Sequence, residues 1–525
     1  MRAFDTLAPQ PAGPEPPDDA ARGPLIASVT RLASVQGAAR ALMLLGIVGI
    51  ATLLPVWLRM IVSPAPQEMR EGALLWTTIA FLHGHNPYAL DTLPGPANVY
   101  GPLYPLLVTP LAWLFGPTLF VHRLVNNLAI LVACTLLYRV LRREGASNLT
   151  ALTGAAINFA GLLYWVGPTT RPDGLGVALL VGAYTVMVPD PTSARRLAGG
   201  LALSLLGFAT KIYYVLPALT VVAWLLWRTG LRRGLRAGVI TAAALLVATT
   251  GLAWLFPAWA PIVLGANIDA TTYDVHYLLR QTLDWMIFSL PLVVALLGGL
   301  LAAMPLSDRR EWLAGVDLWT VALAAGLAAV LFKMGGHRGA HMTYFFHLVT
   351  PPLTVVALRR LDRSPWAQLA VGLAFVAALG LNAHWFMRDP GRLARAERTF
   401  ATLASEIDHA AHPTGTGEFA PLLLAAGVDP TESGHTQYFH IVAPPWYLGP
   451  FWSSLSTLYA QERQFTQQFY KTLDGRGYDV IVANRRALDL LSPPLLYSRY
   501  RDTQHLDIDL PWARQSWPVD VWVPD

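Results

Sequence analysis

Apolar runs long enough to cross a bilayer recur along this chain from about Ala41 to about Phe386, and the remaining residues contain none. The first run, Ala41 to Leu58, is followed by spans near 122–141, 149–166, 173–189, 197–210, 212–227, 237–256, 283–304, 316–334, 344–358 and 366–386, each ended by Gly, Pro or charge. That pattern predicts an α-helical polytopic membrane protein with about 11 transmembrane helices. Gly101 to Gly116 is apolar but short and Pro-rich, and reads as a segment lying in or dipping into the outer leaflet. From Met387 onward the periodicities change. A helix near Gly391 to His412, a GEFAPLLLAAG segment, an aromatic loop-rich stretch, an amphipathic helix around Leu458 to Leu473 and the strand-like YDVIVAN at Tyr478 to Asn484 predict a small C-terminal α/β domain. Three regions result: a disordered tail over 1–40, Pro-rich and polar over its first half, a membrane domain over 41–386 with a first outer loop at 61–121, and a soluble domain over 387–525. The tail is too long for a secretory leader, so the first apolar helix is expected to be retained.

Composition agrees with a bilayer. Hydrophobic residues make up 54% of the chain and charged ones only 14%, with a mean hydropathy of +0.42, well outside the range of soluble globular proteins. The net charge of +5 comes from arginines grouped in short loops. Placing the N-terminus inside puts Arg139, Arg142 and Arg143, Arg195 and Arg196, Arg228 to Arg236, Arg309 and Arg310, and Arg359 to Arg363 all on the cytoplasmic side. Short cytoplasmic loops collect such clusters, so the expected placement is the cell (inner) membrane with the C-terminal domain extracytoplasmic. No aromatic-basic motif points to nucleic acid. Cys134 stands alone and reads as packing.

The first outer loop is the longest connection between spans, and long loops in compact domains are usually functional. Its QEMREG segment places Glu68 and Glu71 on one face of a helix. A carboxylate beside apolar surface is a possible general base; on spacing alone a solvated carboxylate beside Arg70 is the commoner case. FLHGHNPY, with His83, His85 and Tyr88, and NVYGPLYP, with Tyr100 and Tyr104, follow. The two histidines lack metal-site spacing, and no metal is expected. TTRPDG offers Arg171 and Asp173, costly at this depth unless paired or used, with Asp173 alternatively capping the next helix. Lys211 in FATKIYY, one of three lysines, is either a snorkelling anchor or a phosphate ligand. The last outer loop concentrates Lys333, His337, Arg338, His341 and Tyr344, a set suited to an anionic headgroup.

An acidic residue before a helix ending in Gly-x-x-Pro-Tyr, then YGPLYP, then a distal Gly-rich loop ending in Tyr-Phe resembles the polytopic glycosyltransferases of the GT-C fold, over most of the chain. This resemblance implies transfer of a sugar from a polyprenyl-phosphate donor to a lipid, glycan or protein acceptor in the cell envelope, with inversion and without cofactor. It implies a catalytic carboxylate at Glu71 or, second, Glu68. Lys211, Arg338, Arg171 and His337 would then serve the donor phosphate, and Asp173, Tyr88, Tyr100, Tyr104, His341 and Tyr344 would contact substrate. Arg70 directly before Glu71 departs from the Asp-Glu pair of several such families. A secondary transporter or lipid flippase is the rival class, and a non-catalytic glycan-binding subunit a third, but the ionisable groups sit at the outer helix ends rather than mid-membrane. On this reading Glu71→Gln abolishes sugar transfer, assayed with purified protein and radiolabelled donor, while the protein still inserts.

Overall fold

The protein's computed structural model describes residues 19–68, 70–89, 100–264, 273–303, 316–336, 342–386, 390–416, 419–430, 436–437, 467, 470–483, 493–510 and 515–525. Helix α1 (Asp19–Ala51) starts inside the stretch expected to be a tail and, after a short break, continues as α2 (Leu54–Val62). Most of the extension has a physical reason: residues 26–45 hold alanine, leucine and arginine and no proline, so the apolar helix propagates backwards through them. Next come α3 (Glu71–Leu82) and α4 (Leu103–Phe115), which pack on each other. At 1.5 Å per residue α4 is roughly 20 Å long, too short for a bilayer crossing, and Trp113, Leu114 and Phe115 at its end are exposed.

Four helices follow, α5 (Leu119–Arg143), α6 (Asn148–Trp165), α7 (Asp173–Met187) and α8 (Ala194–Thr210); α5 packs on both α6 and α7, and α7 on α8. Ser147 caps α6 and Thr118 caps α5, each side chain accepting from a first-turn N–H. Helices α9 (Leu216–Thr229) and α10 (Leu231–Leu255) pair through a glycine turn at Gly230, whose φ is +90°. The single span expected over 283–304 is instead two helices, α11 (Val275–Phe288) and α12 (Leu290–Ala303), bent by 84°. Pro291 explains the break, because its ring removes a backbone donor and disfavours α geometry in the residue before it. Helices α13 (Leu318–Ala329), α14 (Thr350–Leu358) and α15 (Pro365–Phe386) complete the bundle, and α15 returns to lie along α1.

Among the described residues five helices are long and apolar enough to cross a membrane, or six if the bent pair counts as one span, and α3, α4, α7 and the 318–333 segment are apolar but shorter. The protein is a polytopic helical membrane protein. At the arginine-rich end Asp362 ties the loops together, accepting from Ser147, Thr150 and Gln368, and Arg359 pairs with Asp317.

The C-terminal domain contains α16 (Pro390–Asp408), β1 (Pro413–Thr416), α17 (Ala420–Ala425), β2 (Thr436–Gln437), β3 (Val480–Ala483), α18 (Pro493–Arg499), β4 (Tyr500–Leu510) and β5 (Gln515–Pro524). Its sheet order is β2-β1-β3-β5-β4, parallel across the first three strands and antiparallel across the last three. The expected α/β domain is therefore present; the helix expected over Leu458 to Leu473 falls mostly outside the described residues. Phe400, Leu403 and Ile407 of α16 and Phe419, Leu422 and Leu423 of α17 bury against Val482, Val519 and Val521, at about 1.5–3 kcal/mol for each large side chain. Ala65 of the first loop joins that core, so loop and domain form one packed body.

Across β4 and β5, His505 Nδ1 lies 2.5 Å from Asp520 Oδ1, in direct cross-strand register. The hydrogen bond to Asp520, then the charge of Asp520, raise the His505 pKa above its ordinary value. An unfolded histidine titrates near 6.5, so the stabilisation is complete below that pH and is lost as pH rises through the higher folded value. Thermal unfolding of the wild type minus His505→Gln, measured from acid to alkaline pH, should show a stability difference that shrinks as pH rises; a pH-independent difference would refute the linkage.

Candidate active site

The site is assembled on α5. Arg123, fully buried, has five N–H donors, and all five are used. Nε donates to Glu71 Oε1 at 2.9 Å and Nη2 to Glu71 Oε2 at 2.7 Å. Nη1 donates to the Met60 and Ser63 carbonyls at 2.9 and 2.6 Å, and Nη2 also to the Ala65 carbonyl at 3.0 Å. Glu71 is equally saturated, taking two further bonds from the Gln67 N–H at 2.6 Å and the Thr170 N–H at 2.9 Å. Four bonds fill the four lone-pair positions of a carboxylate. Glu71, expected as the foremost proton acceptor, thus has no open position and no exposure. Its place at the start of α3 ties that helix to α5 and to the turn 166–172.

Three residues earlier Glu68 lies before α3 begins, so the two glutamates do not share the expected helix face; it meets Arg171 side-on, with Arg171 Nε donating to Oε1 at 2.7 Å and Nη2 donating to Oε2. Burial on its own would raise the Glu68 carboxyl, but the Arg171 charge and hydrogen bonds, helped by Arg70 and Lys211, outweigh it and hold it below the ordinary carboxylate range. Two hydrogen bonds on two oxygens, among the described residues, leave lone pairs open, which is the chemical difference from Glu71.

Asparagines extend the α5 scaffold. Asn126 donates to the Val166 and Thr169 carbonyls at 2.8 and 3.1 Å and accepts the Gly174 N–H at 2.9 Å, fixing the TTRPDG turn. Asp173 does not cap α7. Its Oδ1 instead accepts from Lys211 Nζ at 2.6 Å, Tyr213 Oη at 2.9 Å and Tyr214 Oη at 3.2 Å. A side chain at Gly176 would collide with Tyr214, its Cβ falling 1.8 Å from the ring, so this glycine lets the tyrosine reach Asp173. Lys211 sits in extended backbone after α8, with Nζ 4.2 Å from the centre of the Tyr100 ring. Gly101 makes that approach possible: its N–H donates to the Thr210 carbonyl at 3.0 Å, and a Cβ there would lie 1.9 Å from the Ala209 oxygen. Burial would raise the Tyr100 phenol, yet Lys211, Arg70 and Arg171 together bring it below its usual value, marking a focus of positive potential.

The structure thus brings together Glu68, Glu71, Tyr100, Arg171, Asp173 and Lys211, with Tyr344 beside Tyr213 at 5.1 Å between ring centres. Two expected contacts are structural instead. Tyr88 Oη donates to the Tyr100 carbonyl at 2.9 Å and its own carbonyl accepts from Ala258, and Tyr104 Oη donates to the His122 carbonyl at 2.6 Å from complete burial. His337, Arg338 and His341 lie outside the described residues. Tyr213, Tyr214, His347, Asn126 and Arg123 were missed; the signal was polar residues within apolar runs, as in HRLVNN and FFHLV.

Two solved structures share this architecture. ArnT from Cupriavidus metallidurans in the apo state superimposes with a TM-score of 0.55 at 14% identity, covering 91% of this chain and 97% of that one. The same protein bound to undecaprenyl phosphate gives 0.50 at 16% identity, with the same coverage. The chain has the GT-C fold. No protein-family model matches it, and no curated protein sequence does. Within that fold, Arg123 and Glu71 are the joint between the membrane bundle and its first loop. Breaking a buried pair costs about 3–5 kcal/mol because one charge is stranded. Arg123→Met and Glu71→Gln should each lower the thermal unfolding midpoint of detergent-solubilised protein, while the double variant loses less than the sum; strict additivity would show that the pair is not coupled.

Proposed function

We propose that this protein is an inverting glycosyltransferase that moves a sugar from a polyprenyl-phosphate donor to a lipid, glycan or protein acceptor at the outer face of the cell membrane. The observation that carries the reading is the charge arrangement: Arg70, Arg171 and Lys211 converge with Glu68 and Asp173 at one end of the bundle, an excess of one positive charge among the described residues. A sugar-bearing phosphodiester carries one negative charge and would neutralise it. The arginine clusters lie at the other ends of the same helices, consistent with an outward-facing site and a cytoplasmic N-terminus. ArnT's complex with undecaprenyl phosphate supports a lipid phosphate as the partner class.

In this mechanism the acceptor hydroxyl attacks the anomeric carbon while Glu68 takes its proton, and the bond to the phosphate oxygen breaks with the electron pair leaving on phosphate. Arg171, Lys211 and Arg70 neutralise the charge that develops there. Arg171 would also be shared between Glu68 and the arriving phosphate. As the phosphate draws the guanidinium away, the carboxylate loses its strongest stabiliser and becomes a better proton acceptor when the reaction needs one. Tyr100 and Tyr344 would border the substrate; from the sequence alone, Arg338 and His337 are proposed for the donor phosphate and His341 for the substrate. Among the described residues the buried ionisable groups of the bundle sit at one end and not at its middle, which favours surface chemistry over translocation.

With purified, folded protein and radiolabelled polyprenyl-phosphate sugars, Glu68→Gln should lower transfer by about 10²–10⁴-fold, and Lys211→Ala by about 10²–10³-fold. Full activity in Glu68→Gln, or vesicle-dependent lipid movement without sugar transfer, would overturn the proposal.

A further inference from the structure

His347 is buried, 1% exposed, inside a π-helical turn at Phe345–Val349, a geometry frequent at functional sites. Its ring stacks on Tyr213 with 15° between planes, and Nδ1 lies 3.4 Å from Tyr213 Oη and 3.6 Å from Asp173 Oδ1. Counting hydrogens settles the tautomer. Tyr213 has one hydroxyl hydrogen, already given to Asp173 Oδ1 at 2.9 Å, so contact with Nδ1 requires the proton on Nδ1. In the neutral ring Nε2 is then a bare acceptor, and it has no partner among the described residues. Asp173 repeats the pattern: Oδ1 takes three donors, while Oδ2, with the residue fully buried, takes none from the described residues.

Buried acceptors without donors on two neighbouring residues call for a ligand hydrogen, since nearly all buried polar atoms are paired. The phosphodiester of a lipid-phosphate sugar carries no hydrogen and cannot satisfy them. A sugar ring does, because each hydroxyl donates once. We propose that Asp173 Oδ2 and His347 Nε2 are the seat for hydroxyl groups of the transferred sugar, with His347 a specificity-determining residue. This rests on the glycosyl-transfer reading above. It separates the site into a cationic part for phosphate, at Arg171 and Lys211, and an acceptor part for sugar, joined through the Lys211–Asp173 pair. A site built to bond a hydroxyl discriminates strongly against ligands that lack it, because its own polar groups are then left bare.

The test uses full-length protein in nanodiscs with undecaprenyl phosphate and with undecaprenyl phosphate carrying glucose, galactose, mannose or arabinose. The wild type should bind at least one sugar-bearing lipid more tightly than the bare lipid. His347→Asn, whose amide reaches only the Nδ1 position, should erase that preference by about 10-fold or more with bare-lipid affinity unchanged. His347→Gln, whose amide oxygen reaches the Nε2 position, should restore most of it. Equal loss in both variants, a parallel fall in bare-lipid affinity, or no sugar preference in the wild type would overturn the subsite. Failure to bind bare undecaprenyl phosphate would instead count against the glycosyl-transfer reading itself.

Discussion

The bidentate pair between Arg123 and Glu71 is the constraint on which the rest of the site depends. A guanidinium in an apolar helix costs several kcal/mol unless every donor is met and an opposite charge lies beside it. Here the requirement is met by parts of the chain that have no other reason to converge: the end of α2, the loop at Ser63 and Ala65, the start of α3 and, through Thr170, the turn before α7. The cost of leaving Arg123 unpaired therefore acts as a clamp on the first loop. Glu68, three residues before Glu71, inherits its position from that clamp.

Around the closed pair stand two open ones. Glu68–Arg171 and Asp173–Lys211 have the same charge types as Arg123–Glu71 but retain unfilled lone pairs, and Arg171 and Lys211 each keep slight exposure. The contrast divides stability from function within one cluster. A saturated pair binds nothing further; an unsaturated one holds its charges in place and still offers them. The Tyr100 ring under Lys211 and the tyrosines on Asp173 keep the open pairs from collapsing onto each other or being washed out by solvent.

Much of the architecture could be read before the structure, because bilayer crossing imposes a length and hydropathy that few sequences meet by accident. Lys211, Arg171, Asp173 and Glu68 were recognisable for a related reason: a charge near an apolar run is costly. What periodicity could not show was partnership. Arg123 looked like an isolated cation at the mouth of a span, and Glu71 looked more like a base than Glu68, because saturation is a property of hydrogen bonds made across 50 to 100 residues of sequence. Tyr88 and Tyr104 erred in the same direction, since an aromatic near a site resembles a ligand until its hydroxyl is found on a backbone carbonyl. His347 was invisible inside an apolar run, where a single histidine carries no spacing.

The C-terminal domain meets the membrane bundle at α3. Trp76 Nε1 donates to the Pro430 carbonyl at 3.0 Å, His83 lies 3.2 Å from Asp429, and Leu75 and Ile79 pack with Leu424. One end of α3 is thus fixed by Glu71 to the membrane bundle and the rest by apolar contact to the domain. A helix of 12 residues is marginal alone, so its order is borrowed from both bodies. Any displacement of the domain that moves Trp76 also presses on the first turn of α3, where Glu71 holds and Glu68 is presented. The domain therefore belongs to the support of the first loop, and its sheet and helices form the second wall against which that loop is set.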